Sequence, residues 1–175
     1  MSATTADGPG TSLRWLWLAA AVVVLDQATK WAIVQSMELF EVNPILPVLD
    51  ITRLHNTGAA FSFLAQESGW QRWLFIGLGA VVIVGIVYWL RSLPARGHAW
   101  LGAALALVMG GALGNVIDRV WHGHVVDFIH VHWNTAYFPA FNVADSAITV
   151  GAAVLILDAI LESRRHRHPP VGKAS

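Results

Sequence analysis

Residues 13–34 read LRWLWLAAAVVVLDQATKWAIV, an apolar run that carries Arg14 near its start and, deeper within it, one acid and one base, Asp26 and Lys30. A helix needs about 20 apolar residues to cross the hydrocarbon core of a bilayer, and this run is long enough. No small-residue cleavage pattern follows Leu25, so we expect a retained membrane helix rather than a secretory leader. Charged groups at membrane depth are costly and tend to mark function, which makes these two the first candidates for a site.

Further apolar stretches of similar length lie at residues 70–90, 99–117 and 138–161. Hydrophobic residues make up 55% of the chain and charged residues only 13%, against about a quarter in a soluble domain. The sequence therefore predicts an all-α polytopic membrane protein. One domain with four transmembrane helices spans 13–162, between a disordered tail at 1–12 and a basic tail at 163–175. The net charge of +0 gives no basic field for nucleic acid, and the absence of Cys excludes a disulfide or a thiolate nucleophile.

Charge on the connecting segments predicts the orientation in the membrane. The loop at 35–69 has more acids than bases, whereas the connection between the second and third apolar stretches is basic, as is the C-terminal tail. Because cytoplasmic loops are rich in Lys and Arg, we expect both termini inside and the segments 35–69 and 118–137 outside. The basic residues concerned are Arg91, Arg96, Arg164, Arg165, Arg167 and Lys173. The 9 Trp all lie near predicted span ends, as in an aromatic belt.

The outer segments contain signals of local structure. Residues 48–55 alternate apolar and polar side chains, 56–58 (Asn-Thr-Gly) is typical of a turn, and 59–63 is a candidate returning strand. We therefore predict a small extracytoplasmic β-element over about residues 40–65. The second outer segment, 121–137, is too short and polar to cross the membrane, and we expect a loop or short helix at the outer face.

This topology brings polar residues together at the outer face. Asp26 and Lys30 lie in the outer part of the first helix, Asp127 in the second outer segment and Asp145 in the first turns of the fourth helix. Other polar residues at this depth are Asn56, Asn115, Asp118, Arg119 and Asn142. Because Asn142 and Asp145 are spaced i,i+3, the amide can hydrogen-bond the carboxylate and fix its orientation.

Asp127 and Asp145 are the candidate reactive pair. Two carboxyl groups that share a site cannot both ionise easily, so one proton is held between them near neutral pH. The ionised member can take a proton from water while the protonated member polarises a scissile carbonyl. This chemistry fits an aspartyl hydrolase, but it does not by itself select a peptide over other substrates.

Several of the other residues have simpler interpretations. Asp26 and Lys30 are spaced i,i+4 and can form a charge-compensating salt pair. Asp118 can hold the end of the third helix to a loop through an ion pair. For Arg119 a role in the site is favoured, because a guanidinium can also hold a backbone carbonyl or a phosphate. The GxxxG pattern at 110–114 allows close approach of a neighbouring helix.

His122, His124, His130 and His132 form two HxH pairs, which raises the question of a metal. No Cys, Glu or third spaced ligand completes a familiar pattern, so we interpret them as interfacial residues and expect no metal and no other cofactor. The rival functions are a small proton or ion transporter with a carboxylate relay, and a noncatalytic scaffold. A relay should distribute carboxylates through the bilayer depth, whereas these lie at one face.

Five segments resemble, in order, the motif blocks of bacterial lipoprotein signal peptidase, the type II signal peptidase. They are DQATK at 26–30, HNTGAAFSF at 55–63, GGALGNVIDR at 110–119, VVDFI at 125–129 and FNVADSAI at 141–148. Their order, their spacing and the four-span layout all agree with that family. The resemblance covers roughly residues 13–162.

The resemblance implies an aspartic-type signal peptidase, multi-pass in the bacterial cytoplasmic (inner) membrane, that cleaves diacylglyceryl-modified prolipoproteins just before the lipidated cysteine. It also implies a catalytic dyad of Asp127 and Asp145 at the outer face, and inhibition by the cyclic peptide globomycin. The matching site-lining residues are Asn56, Asn115, Arg119, Asn142, Asp26 and Lys30. Besides this substrate we expect contact with membrane lipids, and a monomer is sufficient for the chemistry.

Overall fold

The computed structural model describes residues 12–58, 69–94 and 97–167. After a short 3₁₀ turn, Ser12–Trp15, four helices are long and apolar enough to cross a membrane: α1 (Leu16–Ser36), α2 (Trp70–Ser92), α3 (Ala99–Trp121) and α4 (Val143–Arg167). A small antiparallel sheet contains β1 (Val42–Leu46), β2 (Leu49–Asn56), β3 (Val125–Trp133) and β4 (Ala136–Tyr137), in that order. The predicted fold class, four transmembrane helices with a small β-element, is confirmed.

Helix α3 packs against each of the other three helices and is the most buried of the four. Its glycines make this close packing possible. A Cβ atom at Gly110 would lie 2.8 Å from the Ala19 carbonyl oxygen of α1, and one at Gly111 would collide with the Ala144 carbonyl oxygen and the Ile148 side chain of α4. The close approach predicted for the GxxxG pattern is therefore confirmed, and glycine is needed because backbone of the neighbouring helices lies against it.

At the end of the bundle away from the sheet, apolar side chains of α1, α2 and α3 form the core. The buried members are Ala19, Ile86, Leu90, Leu93, Leu105, Ala106 and Met109. Ser12 Oγ donates to the Pro94 carbonyl oxygen at 2.9 Å, which joins the start of the first helical segment to the chain after α2. Many other apolar side chains, such as Val81 and Ile156, are exposed, as expected of helix surfaces that face lipid.

Strand β2 pairs with β1 along one edge and with β3 along the other, so the two outer segments form one sheet. The β2–β3 register places Asp127 opposite Leu54. The segment 121–137, expected as a loop or short helix, thus contains β3 and β4 instead. Its many β-branched residues favour a strand, and β3 supplies the hydrogen-bond partners that the backbone of β2 requires. The returning strand expected at 59–63 lies outside the described residues.

Helix α4 begins at Val143, whereas the sequence predicted a start at Phe138. Phe138 precedes a proline, a position that disfavours helical backbone. The chain instead continues the sheet, and Phe141 exchanges two backbone hydrogen bonds with Ile129 of β3, at 2.8 and 3.0 Å. Because α4 begins at Val143, Asn142 lies immediately before the helix, where Asn is a preferred N-cap.

Candidate active site

Asp127 lies on β3 with its side chain only 3% exposed and held between two amide donors. Asn142 Nδ2 donates to Oδ1 at 2.8 Å, and Asn56 Nδ2 donates to Oδ2 at 2.9 Å. Burial raises the pKa of Asp127 to about 7; the two amide hydrogen bonds oppose this rise and the neighbouring Asp145 adds to it. This carboxyl group can therefore exchange a proton near neutral pH, as general acid–base chemistry requires.

Asp145 lies in the first turn of α4, where it forms a reciprocal cap with Asn142. The Asn142 Oδ1 atom accepts the Asp145 backbone N–H at 2.9 Å, and Asp145 Oδ2 accepts the Asn142 backbone N–H at 3.3 Å, the arrangement of a capping box. From α3, Asn115 Nδ2 donates to Asp145 Oδ1 at 2.7 Å. The helix start and α3 together fix the orientation of this carboxyl group.

Asn142 joins the two carboxyl groups. It is fully buried, and its Nδ2 donates to Asp127 while its Oδ1 accepts the N–H of Asp145. Because that N–H holds the amide oxygen, the NH₂ group cannot rotate away from Asp127 without breaking the cap. The sequence predicted that the Asn142 amide orients the Asp145 carboxylate, whereas in the structure this amide orients the Asp127 carboxylate and the Asn142 backbone N–H binds that of Asp145.

An ion cluster of Asp26, Lys30 and Asp118 lies beside these carboxyl groups, and all three side chains are buried. Lys30 Nζ is 2.7 Å from Asp26 Oδ2 and 2.9 Å from Asp118 Oδ2, and it also donates to Asn115 Oδ1 at 3.0 Å. The predicted Asp26–Lys30 pair is confirmed. The ion-pair partner of Asp118 is Lys30 of α1, rather than its sequence neighbour Arg119.

Each acid of the ion cluster also accepts a backbone N–H. Asp26 Oδ1 accepts that of Ala144, the residue before the aspartate of α4, at 2.9 Å. Asp118 Oδ2 accepts that of Val126, the residue before the aspartate of β3, at 3.2 Å. Gln27 Nε2 donates to Asp118 Oδ1 at 2.8 Å and so fixes the other side of this carboxylate. The ion cluster therefore holds the backbone of both α4 and β3, the two elements that carry the aspartates of the candidate site.

Arg119 holds the turn after β2 against α3. Its Nη2 donates to the Gly58 carbonyl oxygen at 3.2 Å and its Nη1 to the Asn115 carbonyl oxygen at 3.3 Å, while the guanidinium lies 4.9 Å from the centre of the Phe75 ring. The backbone carbonyls that Arg119 holds thus belong to the protein itself. In the same turn the Gly58 N–H donates to Asn56 Oδ1 at 3.0 Å, which orients the Asn56 amide.

A cavity of about 620 Å³ lies beside this network and is lined mainly by apolar groups. Its polar wall includes Asn56, Arg119 and Asp145, and its apolar wall includes Phe75 and Phe141. The half-buried carboxyl group of Asp145 borders the cavity, whereas the aspartate of β3 lies behind it. Such a cavity suits a ligand with a polar centre and apolar chains.

All the site residues predicted from the sequence lie in this one network. They are Asp127, Asp145, Asn56, Asn115, Arg119, Asn142, Asp26 and Lys30. Sequence reasoning missed Gln27 and Phe75. Gln27 lies within the DQATK block and could have been found there, whereas nothing polar distinguishes Phe75 from the other apolar residues of α2.

The histidines of the two outer segments lie in or beside the sheet, apart from this network. His55 and His124 stack with ring centres 3.7 Å apart, and burial lowers the pKa of both. His130 and His132 pack against Tyr137. Within residues 12–58, 69–94 and 97–167, no group of three or more His, Cys, Asp or Glu side chains is arranged to hold a metal ion.

The family model described as Signal peptidase (SPase) II matches residues 18–161. The chain belongs to the signal peptidase II family. The lipoprotein signal peptidase of Pseudomonas putida is 53% identical over 159 residues, which cover 90% of this chain and 92% of the relative. That of Pseudomonas aeruginosa is 55% identical over 148 residues, which cover 83% of this chain and 87% of the relative.

Two solved structures, both bacterial membrane enzymes determined by the in meso method, have a similar fold. The first, at 2.3 Å resolution, has a TM-score of 0.77 and 32% identity, and the match covers 91% of this chain and 94% of that one. The second, at 1.9 Å, has a TM-score of 0.70 and 30% identity, and covers 83% and 92%. The chain is therefore a signal peptidase, a multi-pass protein of the bacterial inner membrane. The comparisons give no support to the ion-transporter alternative.

Proposed function

We propose that Asp127 and Asp145 form the catalytic dyad of a membrane aspartyl endopeptidase. Its substrate is a diacylglyceryl-modified prolipoprotein, and it cleaves the peptide bond before the lipidated cysteine. The observation that carries the proposal is the buried Asn142 side chain, whose Nδ2 donates to the Asp127 carboxylate and whose Oδ1 accepts the backbone N–H of Asp145. The name shared by the relatives, lipoprotein signal peptidase, supports this substrate class.

The reaction needs one proton on the dyad and one water molecule. The ionised aspartate takes a proton from the water as the water oxygen attacks the scissile carbonyl carbon, and the protonated aspartate gives its proton to the carbonyl oxygen. A neutral gem-diol results, and the two aspartates have exchanged roles. In the second step the aspartate that took the proton from water gives it to the amide nitrogen, the other aspartate takes a proton from a gem-diol hydroxyl, and the C–N bond breaks. The signal peptide leaves with a new carboxyl group, and the lipidated cysteine keeps a free amine.

The surrounding residues support this chemistry by orientation. Asn56, Asn115 and Asn142 provide the amide donors of the dyad, and Arg119 holds the turn that carries the first of these amides. The apolar wall of the cavity suits the acyl chains of the substrate, and its polar wall suits the peptide bond. These assignments make the three asparagines and Arg119 supporting residues rather than proton donors.

We place the dyad at the outer face of the membrane, with both termini in the cytoplasm. Arg91 at the end of α2 and Arg164 near the end of α4 support this orientation, because cationic segments are retained on the cytoplasmic side. A lipid-anchored substrate then reaches the cavity sideways from the bilayer. One chain supplies every residue of the proposed site, so a monomer is sufficient. Following the family resemblance, we expect inhibition by globomycin.

Turnover of a lipidated prolipoprotein peptide by the purified protein in detergent tests the dyad. Asp127→Asn and Asp145→Asn keep the shape of each side chain but cannot cycle the proton, so we expect each to lose about a thousandfold in kcat. Asp158→Asn, an acid of α4 distant from the site in sequence, is the matched control and should cleave at the wild-type rate. Near-normal turnover by either dyad variant, with thermal unfolding showing intact protein, would exclude that residue from catalysis.

A further inference from the structure

The ion cluster links the two elements that carry the dyad. On one side Asp26 binds the N–H of Ala144 in α4, and on the other side Asp118 binds the N–H of Val126 in β3. We call the contact from Asp26 to α4 and the contact from Asp118 to β3 the two arms of the cluster. Lys30 Nζ contacts both carboxylates, at 2.7 and 2.9 Å, so a single atom connects the two arms. The two bound N–H groups belong to the residues that directly precede the dyad aspartates in the sequence.

Charge compensation alone does not account for this cluster. One carboxylate would neutralise Lys30, and a second buried carboxylate adds a desolvation cost. Both acids of the cluster use their remaining acceptor capacity on backbone N–H groups and on Gln27, inside the protein. Such an arrangement fixes backbone positions, which a simple ion pair does not require.

We propose that Asp26, Lys30 and Asp118 form a spacer that sets the separation between the catalytic carboxyl groups of Asp127 and Asp145. They are positioning residues, since they act on the dyad through the backbone of the preceding residues. The inference rests on the proposed function, because a separation has catalytic meaning only if the two aspartates act together.

The separation of two carboxyl groups determines how strongly they interact, and this interaction separates the two apparent pKa values with which the pair titrates. The width of the bell-shaped pH profile of kcat/KM reports that difference. Loss of one arm should let the carboxyl groups move apart, so that the acidic limb shifts to higher pH and the basic limb to lower pH. Loss of a nearby negative charge, by contrast, shifts both limbs to lower pH.

Charged groups of two helices lie beside the dyad: Asp26 and Lys30 of α1, and Asp118 and Arg119 of α3. Within each pair of variants below, every charged group other than the substituted acid is the same.

The test compares Asp118→Ala with Asp118→Asn, and Asp26→Ala with Asp26→Asn. Both members of each pair lose the same charge, but only Asn keeps an oxygen that can accept the backbone N–H. We expect each Ala variant to narrow the pH profile by about one unit and to lose about 100-fold in kcat through misplacement of the dyad. Each Asn variant should keep the wild-type width, with both limbs moved in the same direction.

A double variant, Asp26→Asn with Lys30→Met, guards against failure of an Ala variant to fold. It keeps both backbone acceptors and the net charge of the cluster, but it disconnects the two arms. A narrowed profile in this variant is the expected result. The spacer would be overturned if the pH profile of kcat/KM had the same width in wild type, the Ala variants and the double variant. A narrower pH profile in the Asn variants would overturn it as well. Full activity of Asp127→Asn or Asp145→Asn would instead overturn the proposed function.

Discussion

At the scale of single residues, the protonation of Asp127 makes the folding stability depend on pH. Its pKa is about 7 in the folded protein, against an ordinary value of 3.8, because the side chain is buried. Between these two pH values the folded protein holds a proton that the unfolded chain has released. Folding stability therefore decreases as pH rises from about 4 to about 7, and this contribution is constant above that range.

Asp127→Asn should remove this pH-dependent loss of folding stability, because an amide cannot ionise. We expect the variant to be more stable than wild type at pH 8, by at most about 4 kcal/mol, and the difference to disappear towards pH 4. Thermal unfolding in detergent across that range measures it. A stability difference that does not change with pH would mean that Asp127 does not titrate in this window.

Arg119→Lys should weaken the turn that follows β2. A lysine cannot donate to the Gly58 and Asn115 carbonyl oxygens and also cover the Phe75 ring with a planar group. We expect kcat/KM for the lipidated peptide to fall about tenfold, since Asn56 in this turn loses its fixed orientation. Wild-type kcat/KM in Arg119→Lys would show that charge alone is sufficient at this position.

The sequence identifies the residues of the site better than their partners. Each acid, amide or base is conspicuous inside an apolar stretch, and burying it requires a partner, so its importance can be predicted. Its partner cannot, because the contacts join positions far apart: 85 residues separate Lys30 from Asn115, and 118 separate Asp26 from Ala144. For this reason the sequence does not identify Lys30 as the ion-pair partner of Asp118.

At the scale of whole elements, helix lengths follow from hydropathy, whereas the secondary structure of the outer segments does not. Strand β3, VVDFIHVHW, is too short to show a clear periodicity in its sequence. It forms because it pairs with β2, which is distant in the sequence: 71 positions separate Asn56 of β2 from Asp127 of β3. Helix α4 begins late because the sheet holds Phe141, and that contact is not visible in the local sequence. Tertiary hydrogen bonds decide both cases.

The contact between α3 and α4 provides a test at this scale. In Gly111→Ala the new methyl group would meet the Ala144 carbonyl oxygen and the Ile148 side chain, so α4 must move away. We expect a loss of about 1–3 kcal/mol in stability and a clear loss of turnover, because α4 carries Asp145. Gly85→Ala in α2 is the matched control, since a Cβ there meets nothing within 4 Å, and it should be neutral or slightly stabilising. Identical melting temperatures for the two variants would contradict the close packing.

For the whole molecule, the orientation in the membrane is the property to measure. The chain has 0 Cys, so single cysteines can be introduced at exposed positions without a background signal. Asn134→Cys, in the turn between β3 and β4, should react with a membrane-impermeant thiol reagent in intact spheroplasts. Ser92→Cys at the end of α2 should react only after the membrane is opened. The reverse pattern would place the dyad on the cytoplasmic side.

The order of the site residues along the chain has a consequence for how the enzyme is made. Asp145 follows every other residue of the proposed site, and the helix that carries it also supplies the backbone N–H that Asp26 binds. Since a ribosome delivers the N-terminal part first, a nascent chain with three inserted helices and a finished sheet already contains Asp127 but has no second carboxyl group. With the proposed dyad, the newly made peptidase is therefore inert towards neighbouring membrane proteins throughout its own insertion. We expect it to gain activity in a single step, when its fourth helix enters the bilayer.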